Sequence, residues 1–215
     1  MLEIYFQTDR DTEFQLIEKF RPGCWIYVKE ATLSDLEKIV EFTGLELADI
    51  RDSLDKYELP RIEHLGDSLI LFVRHPDEEE IGSYTNTLTI ILQNDSIIAI
   101  SPHRSGLIEQ FIATHAHFDP SQTTKFILHI LLKITQDYTN GIKKVRHSIS
   151  EPRHENLIDS KVIVTLMENE EVLNQYLTSL VPMRNLLETM AAGRYVNLRE
   201  EDVERIRLKV AEQVV

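Results

Sequence analysis

The stretch Arg61-Ile62-Glu63-His64-Leu65-Gly66-Asp67-Ser68-Leu69-Ile70-Leu71-Phe72-Val73-Arg74 decides the architecture. Gly66-Asp67 is a two-residue turn signal between two strand-like runs, so the segment reads as a β-hairpin. Its second arm is apolar without interruption from Leu69 to Val73. Successive side chains of a strand point to opposite faces, so an arm that is apolar at every position is buried on both. Such a strand belongs in the middle of a sheet, with helices on either side.

Downstream, Tyr84–Gln93 and Ser96–Ser101 flank Asn94-Asp95 as a second hairpin, and Asp77-Glu78-Glu79-Glu80 between the two hairpins reads as a solvated loop. Ser105 then caps a helix that runs to about Ala116. Upstream, Leu2–Gln7, Glu13–Phe20 and Cys24–Val28 read as strands, with Asp9-Arg10-Asp11 and Pro22-Gly23 as turns. Thr32 and Asp35 make a capping-box variant for a helix carrying Leu33, Leu36 and Val40, and Gly44 stands where its C-terminal cap belongs. A short second helix buries Leu47, Ile50 and Leu54, and Pro60 ends it.

The second half has a different period. Phe126, Ile130, Ile134, Tyr138, Ile142, Val145 and Ile149 form a helical stripe, with Asn140-Gly141 as a point where it bends and Pro152 as its end. A further helix from about Glu155 to Ala192 presents Leu173, Leu177, Leu180 and Leu187 as a heptad-like seam, is kinked by Pro182 and closes at Gly193. The two long segments suit an antiparallel pair. Val203, Ile206, Val210 and Val214 keep helical steps to the last residue, a pattern expected of a helix that continues beyond Val215.

Charge divides the chain at the same place. Residues 1–119 hold 23 acids against 10 bases, whereas residues 120–215 hold 13 of each, so the whole formal charge of −13 lies in the first half. The expected domains are an acidic α/β head over 1–119 and a long-helix region over 120–215. An acidic surface repels phosphate backbones and anionic membranes, which argues against nucleic-acid binding and favours divalent cations or basic partners. Cys24, the one cysteine, excludes an intramolecular disulfide and any cysteine-based zinc site. No signal peptide and no apolar run of about 20 residues is visible, so the chain as given is not expected to span a membrane.

No phosphate-binding glycine loop, H-E-x-x-H or G-x-S-x-G element is present, and the chain is not expected to be an enzyme. His115-Ala116-His117-Phe118-Asp119 carries two imidazoles and a carboxylate, yet spacing of two aligns side chains only on a strand; at a helix end it reads as an exposed turn. Asp49, Asp52 and Asp55 are the better candidates. On a helix, steps of three place successive carboxylates about 60° apart. With Leu47, Ile50 and Leu54 facing inward, Asp52 points outward and Asp49 lies close to that direction. Hard cations such as Mg²⁺ take oxygen ligands and keep several waters, so outward carboxylates facing a second subunit could hold one. The competing reading is a solvated helix face in which Lys56 pairs with Asp52.

Read in order, Leu47-Ala48-Asp49-Ile50-Arg51-Asp52-Ser53-Leu54-Asp55, Leu59-Pro60-Arg61-Ile62-Glu63 and Asp67-Ser68-Leu69-Ile70-Leu71-Phe72 resemble the D-x-L stretch, P-R/K-apolar-E element and apolar strand of the CorA-type divalent-cation transporters. Leu88 to Ile100 resembles the family's following hairpin, and Leu180-Val181-Pro182-Met183-Arg184-Asn185-Leu186-Leu187 its proline-containing helix. The resemblance implies an α/β (α+β) fold: an N-terminal α/β/α sandwich with a mixed, largely antiparallel sheet, then long antiparallel helices and the start of a stalk helix. It further implies the cytoplasmic part of a homopentameric Mg²⁺ channel, with Co²⁺ or Ni²⁺ as further cargo, attached to the inner membrane by C-terminal helices that are not in this sequence. In the family, Mg²⁺ bound between cytoplasmic subunits favours the closed pore. Asp52 matches the acidic position that holds the ion, whereas Arg51 stands where a second acid is common. The stalk partner falls at Leu208, or at Asp202 or Glu204 in a shifted register. Regulatory Mg²⁺ at Asp52, Asp49 and Asp55 is therefore the expectation. A Zn²⁺-transporting branch of the same family, and a helical adaptor that binds a protein partner, are the alternatives.

Overall fold

The structure, a computed structural model, describes residues 1–7, 14–80, 83–93, 96–113, 123–150 and 160–193. Its centre is a seven-stranded sheet built from β1 (Leu2–Phe6), β2 (Gln15–Ile17), β3 (Trp25–Val28), β4 (Arg61–Leu65), β5 (Ser68–Glu80), β6 (Ser83–Gln93) and β7 (Ser96–Ile100). The spatial order is β2-β1-β3-β7-β6-β5-β4. Every pairing is antiparallel except β3 with β7. That parallel joint makes the sheet mixed. It forms because α1 (Leu33–Thr43), α2 (Leu47–Ile50) and strands β4, β5 and β6 separate β3 from β7 in the chain, and a parallel partner needs a long crossover.

The apolar arm is buried on both faces as expected, but it is penultimate in the sheet and not central. Leu69, Leu71 and Val73 face one core with Trp25, Tyr27, Leu88, Ile90 and the long helices. Ile70 and Phe72 face a second core with Ile26, Val28, Leu36, Ile39 and Ile50. Helices thus cover both faces: α1 and α2 on one, and α3 (Gly106–Ala113), α4 (Thr123–Ser150) and α5 (Ser160–Ala191) on the other. The three-layer sandwich is completed by the neutral half, whose helices pack on the sheet as well as on each other. The boundary at residues 119/120 lies outside the described residues.

Local signals explain the element ends. Thr32 caps α1 reciprocally with Asp35, and Gly44 terminates it at φ 70°, a left-handed conformation costly for any side chain. Gly66 holds φ 57° in the hairpin turn. Trp25 is buried against the edges of Phe111 and Phe126, with ring centroids 6.1 and 4.9 Å away.

Three readings are corrected. Asp77 to Glu80 is not a loop: β5 runs through it, with a register irregularity between Pro76 and Glu80, and Asp77 is buried, its carboxylate accepting from Asn86 Nδ2 at 2.7 Å. α4 runs unbroken through Asn140-Gly141, and a distant residue accounts for the glycine. A Cβ there would stand 2.3 Å from Tyr176 Oη, so the glycine lets α5 approach closely. The seam of α5 is Tyr176, Met183, Leu186, Leu187 and Met190; Leu173 and Leu177 are exposed. A strict heptad drifts around a straight helix, and the surface that α5 must match is a sheet as well as α4. The helix pair is antiparallel: Asn169 bonds Ser148 at 2.7 Å while Tyr176 meets Tyr138 edge-on at 5.0 Å. The cluster 115–119, Pro152 and everything beyond Gly193, including Asp202, Glu204 and Leu208, lie outside the described residues.

Candidate metal centre

The three candidate carboxylates sit where α2 tightens into a 3-10 turn, Arg51–Leu54. Ile50 and Ser53 are fully buried against the sheet and fix which way the segment faces. With about 3.0 residues per turn instead of 3.6, the carboxylates no longer fan out as on an α-helix. Asp49 completes a capping box, accepting from the Glu46 backbone N–H at 2.9 Å. Asp55 has left the helix and accepts from the Tyr57 N–H at 2.8 Å, an Asx turn. Asp52 and Asp55 are both exposed and Asp49 is half-buried; Asp52, its side chain 53% exposed, is the one held by a cationic side chain, with a carboxylate oxygen 2.8 Å from Arg61 Nη2.

Arg61 organises this corner. Its Nε donates to Glu63, its Nη1 to Glu58 and its Nη2 to Asp52, while the guanidinium lies 3.8 Å from the centre of the Phe72 ring. Burial works against the charge. The bond to Glu63 and the fields of Glu58 and Glu63, then Asp52, outweigh it and hold the guanidinium above its ordinary range. Arg61 and Glu63 are two apart on a strand and share a face, which is why the P-R-apolar-E element has that spacing. The sequence reading missed this hub. Its signal was the Pro60–Glu63 element itself.

Among the described residues, no group of three His, Cys, Asp or Glu side chains is arranged to hold a metal ion. What these residues offer a cation is exposed single carboxylates, and any further ligands would have to come from water or from outside this chain. Mg²⁺ accepts that arrangement, since it is commonly held by one or two carboxylates with its other positions hydrated.

A second concave region opens between β5, α3 and α4. It has a volume of about 730 Å³ and is lined by His75, Asp77, Lys133, Asp137 and Gly141 among others. Asp137 is paired with Lys133 at 2.6 Å. His75 is buried, with Nδ1 3.0 Å from the Pro76 carbonyl and Nε2 3.2 Å from Ser105 Oγ. A carbonyl only accepts, so Nδ1 carries the proton and Nε2 receives the Ser105 hydroxyl. Burial pushes the imidazole pKa below its ordinary value, against the field of Asp77 and Asp137. No helix among the described residues is long and apolar enough to cross a membrane.

Comparison with known proteins agrees with this architecture. The family described as CorA-like Mg²⁺ transporter protein matches residues 22–212. The cobalt/magnesium transport protein CorA of Methanocaldococcus jannaschii is 25% identical over 174 residues, covering 76% of this chain and 53% of that protein. The chain thus spans about half the length of that relative. The solved soluble domain of CorA from the same organism has a TM-score of 0.77 at 18% identity, covering 100% of this chain and 88% of that one. The complete M. jannaschii CorA magnesium transporter gives 0.76 at 17%, covering 100% and 70%. The ZntB cytoplasmic domain of Vibrio parahaemolyticus gives 0.76 at 13%, covering 98% and 87%. At these identities the likeness is one of fold.

Proposed function

Because the chain belongs to the CorA-like Mg²⁺ transporter family, we propose that it forms the cytoplasmic portion of a homopentameric divalent-cation transporter. Mg²⁺ is its cargo, with Co²⁺ or Ni²⁺ as further ions. Asp52 contributes to a regulatory Mg²⁺ site between subunits, and occupancy of that site favours the closed pore. The observation that carries the site is the exposed Asp52 carboxylate, oriented by Arg61, with exposed Asp55 and half-buried Asp49 beside it, each engaged through one oxygen in a backbone bond.

The mechanism is coupling without bond chemistry. An ion bound between subunits stabilises the packing that binds it best, and by reciprocity that packing raises affinity for the ion. Asp52 supplies charge and one oxygen. Asp49 and Asp55 shape the turn that presents it, each using one oxygen in a backbone bond and keeping the other for a water or an ion. Arg61 must share Asp52 with the cation, which keeps the affinity modest and lets the ion leave when its concentration falls.

Two tests apply. The full reading frame should continue past Val215 into two apolar stretches of about 20 residues; a frame without them ends the proposal. Uptake of radiolabelled or fluorescent-reporter divalent ions into cells or vesicles bearing the full protein then identifies the cargo. The Zn²⁺ branch is the second reading, favoured by the fold likeness to the ZntB cytoplasmic domain. Uptake of Zn²⁺ without Mg²⁺ would select it.

A further inference from the structure

Arg74 lies on β5, is 5% exposed, and forms the floor of a cleft of about 290 Å³ between the Tyr57 turn and α5. Every acceptor it reaches is neutral. Nη1 donates to the Lys56 carbonyl at 2.9 Å, Nη2 to the Thr85 carbonyl at 3.0 Å and to Thr85 Oγ1 at 2.5 Å, and Nε to Thr85 Oγ1 at 3.2 Å. A buried arginine ordinarily has a carboxylate partner, because neutral dipoles replace its hydration without cancelling its charge. Burial accordingly depresses its pKa, against the more distant fields of Tyr138, Asp55, Tyr57 and Glu58.

The cleft above the guanidinium has the chemistry of an anion site. Asn174 and Gln175 line it with amides from α5, beside Thr178 and Ser179, whose hydroxyls donate to the Asn174 and Gln175 carbonyls at 2.8 Å; the exposed Tyr57 ring also lines it, with Lys56 Nζ 5.1 Å from the ring centre. With four of its five N–H groups engaged, Arg74 offers an anion its uncancelled charge and the remaining Nη1 hydrogen. Glu171 stands on the same lining and accepts from Gln175 Nε2 at 2.8 Å; its charge weakens an anion and selects for one that brings several acceptors.

We propose that the Tyr57–Arg74–α5 cleft binds a phosphate-type oxyanion, which supplies the counter-charge that Arg74 lacks. The proposal does not depend on which ion the protein moves. The test is thermal unfolding of the 215-residue chain in metal-free buffer, titrated with inorganic phosphate and, at equal ionic strength, with chloride. Phosphate should give a saturable rise of about 2–4 °C that chloride does not. Glu171→Gln should shift the phosphate midpoint to lower concentration. Thr178→Glu places a carboxylate in the cleft; it should unfold at a higher temperature without phosphate and lose the response to it. Asn174→Ala, an exposed change that leaves the fold intact, should raise the phosphate midpoint several-fold. A rise equal in chloride, or a response undiminished in Thr178→Glu, would overturn the proposal.

Discussion

Two arginines thirteen residues apart, on adjacent strands, solve opposite problems. Arg61, on edge strand β4, is shared by Asp52, Glu58 and Glu63 at the protein surface. Arg74, on β5, is buried among backbone carbonyls and a threonine. The first has more negative charge than it can neutralise, which is why the proposed function places a further cation at its corner. The second has none within bonding distance, so its cleft keeps affinity for an anion. The difference teaches that the head's net charge of −13 is a poor guide to any one site. What counts is how many carboxylates each cation must share, and how much water surrounds the group.

The largest effect is expected at the buried arginine. Arg74→Met removes the donor that the Lys56 and Thr85 carbonyls share and should cost about 2–3 kcal/mol, read as a lower urea midpoint at unchanged slope. A neutral result would mean that those carbonyls rehydrate easily and that the site is less enclosed than described. Next is the packing that roofs Arg74. Tyr138 Oη donates to the Arg74 carbonyl at 3.1 Å, Tyr138 meets Tyr176 edge-on, and Tyr176 fills the space over Gly141. Gly141→Ala gains about 1 kcal/mol of helix propensity but overpacks a ring that cannot leave, at about 1–3 kcal/mol. Net destabilisation is expected, and a more stable variant would refute the close approach.

An intermediate effect tests burial near Arg74 through pH. The imidazole of His75 has its pKa lowered by burial, so the unfolded chain takes up its proton first. Its contribution to stability is complete above the ordinary value of about 6.5 and is lost as pH falls from there toward the folded value. Denaturation midpoints measured from pH 7.5 to 5 should fall, and His75→Gln should flatten that part of the curve. The smallest effect belongs to the surface corner: Arg61→Gln should change stability by about 1 kcal/mol, since its pair with Asp52 is exposed and those with Glu58 and Glu63 are only part-buried. A loss comparable to that of Arg74→Met would erase the contrast between the two sites.

Much of this was legible beforehand, and for identifiable reasons. The hairpins, the Thr32–Asp35 box and the Gly44 cap are set by contacts within a few residues, so local chemistry specifies them. The two-sided burial of Leu69–Val73 follows from strand periodicity. Readings failed where a distant neighbour decided. Asp77 is drawn into the sheet by Asn86, Gly141 is defined by Tyr176, and the α5 seam by a sheet that no helical repeat can reveal. At the candidate site, outward-facing Asp52 was legible from the burial of Ile50. The single backbone bonds accepted by Asp49 and Asp55 were not, because they belong to a helix start and a turn end inside what the spacing presents as one short helix. Arg74 looked like the end of an apolar strand, and only the fold shows that it lacks an acidic partner.

The most direct test of the account is Mg²⁺ binding to the full-length oligomer, measured by calorimetric titration for the wild-type protein and for Asp52→Asn. The account predicts a site whose affinity falls about tenfold or more when the Asp52 charge is removed. Equal affinity in the two proteins would contradict it and remove Asp52 from the metal centre.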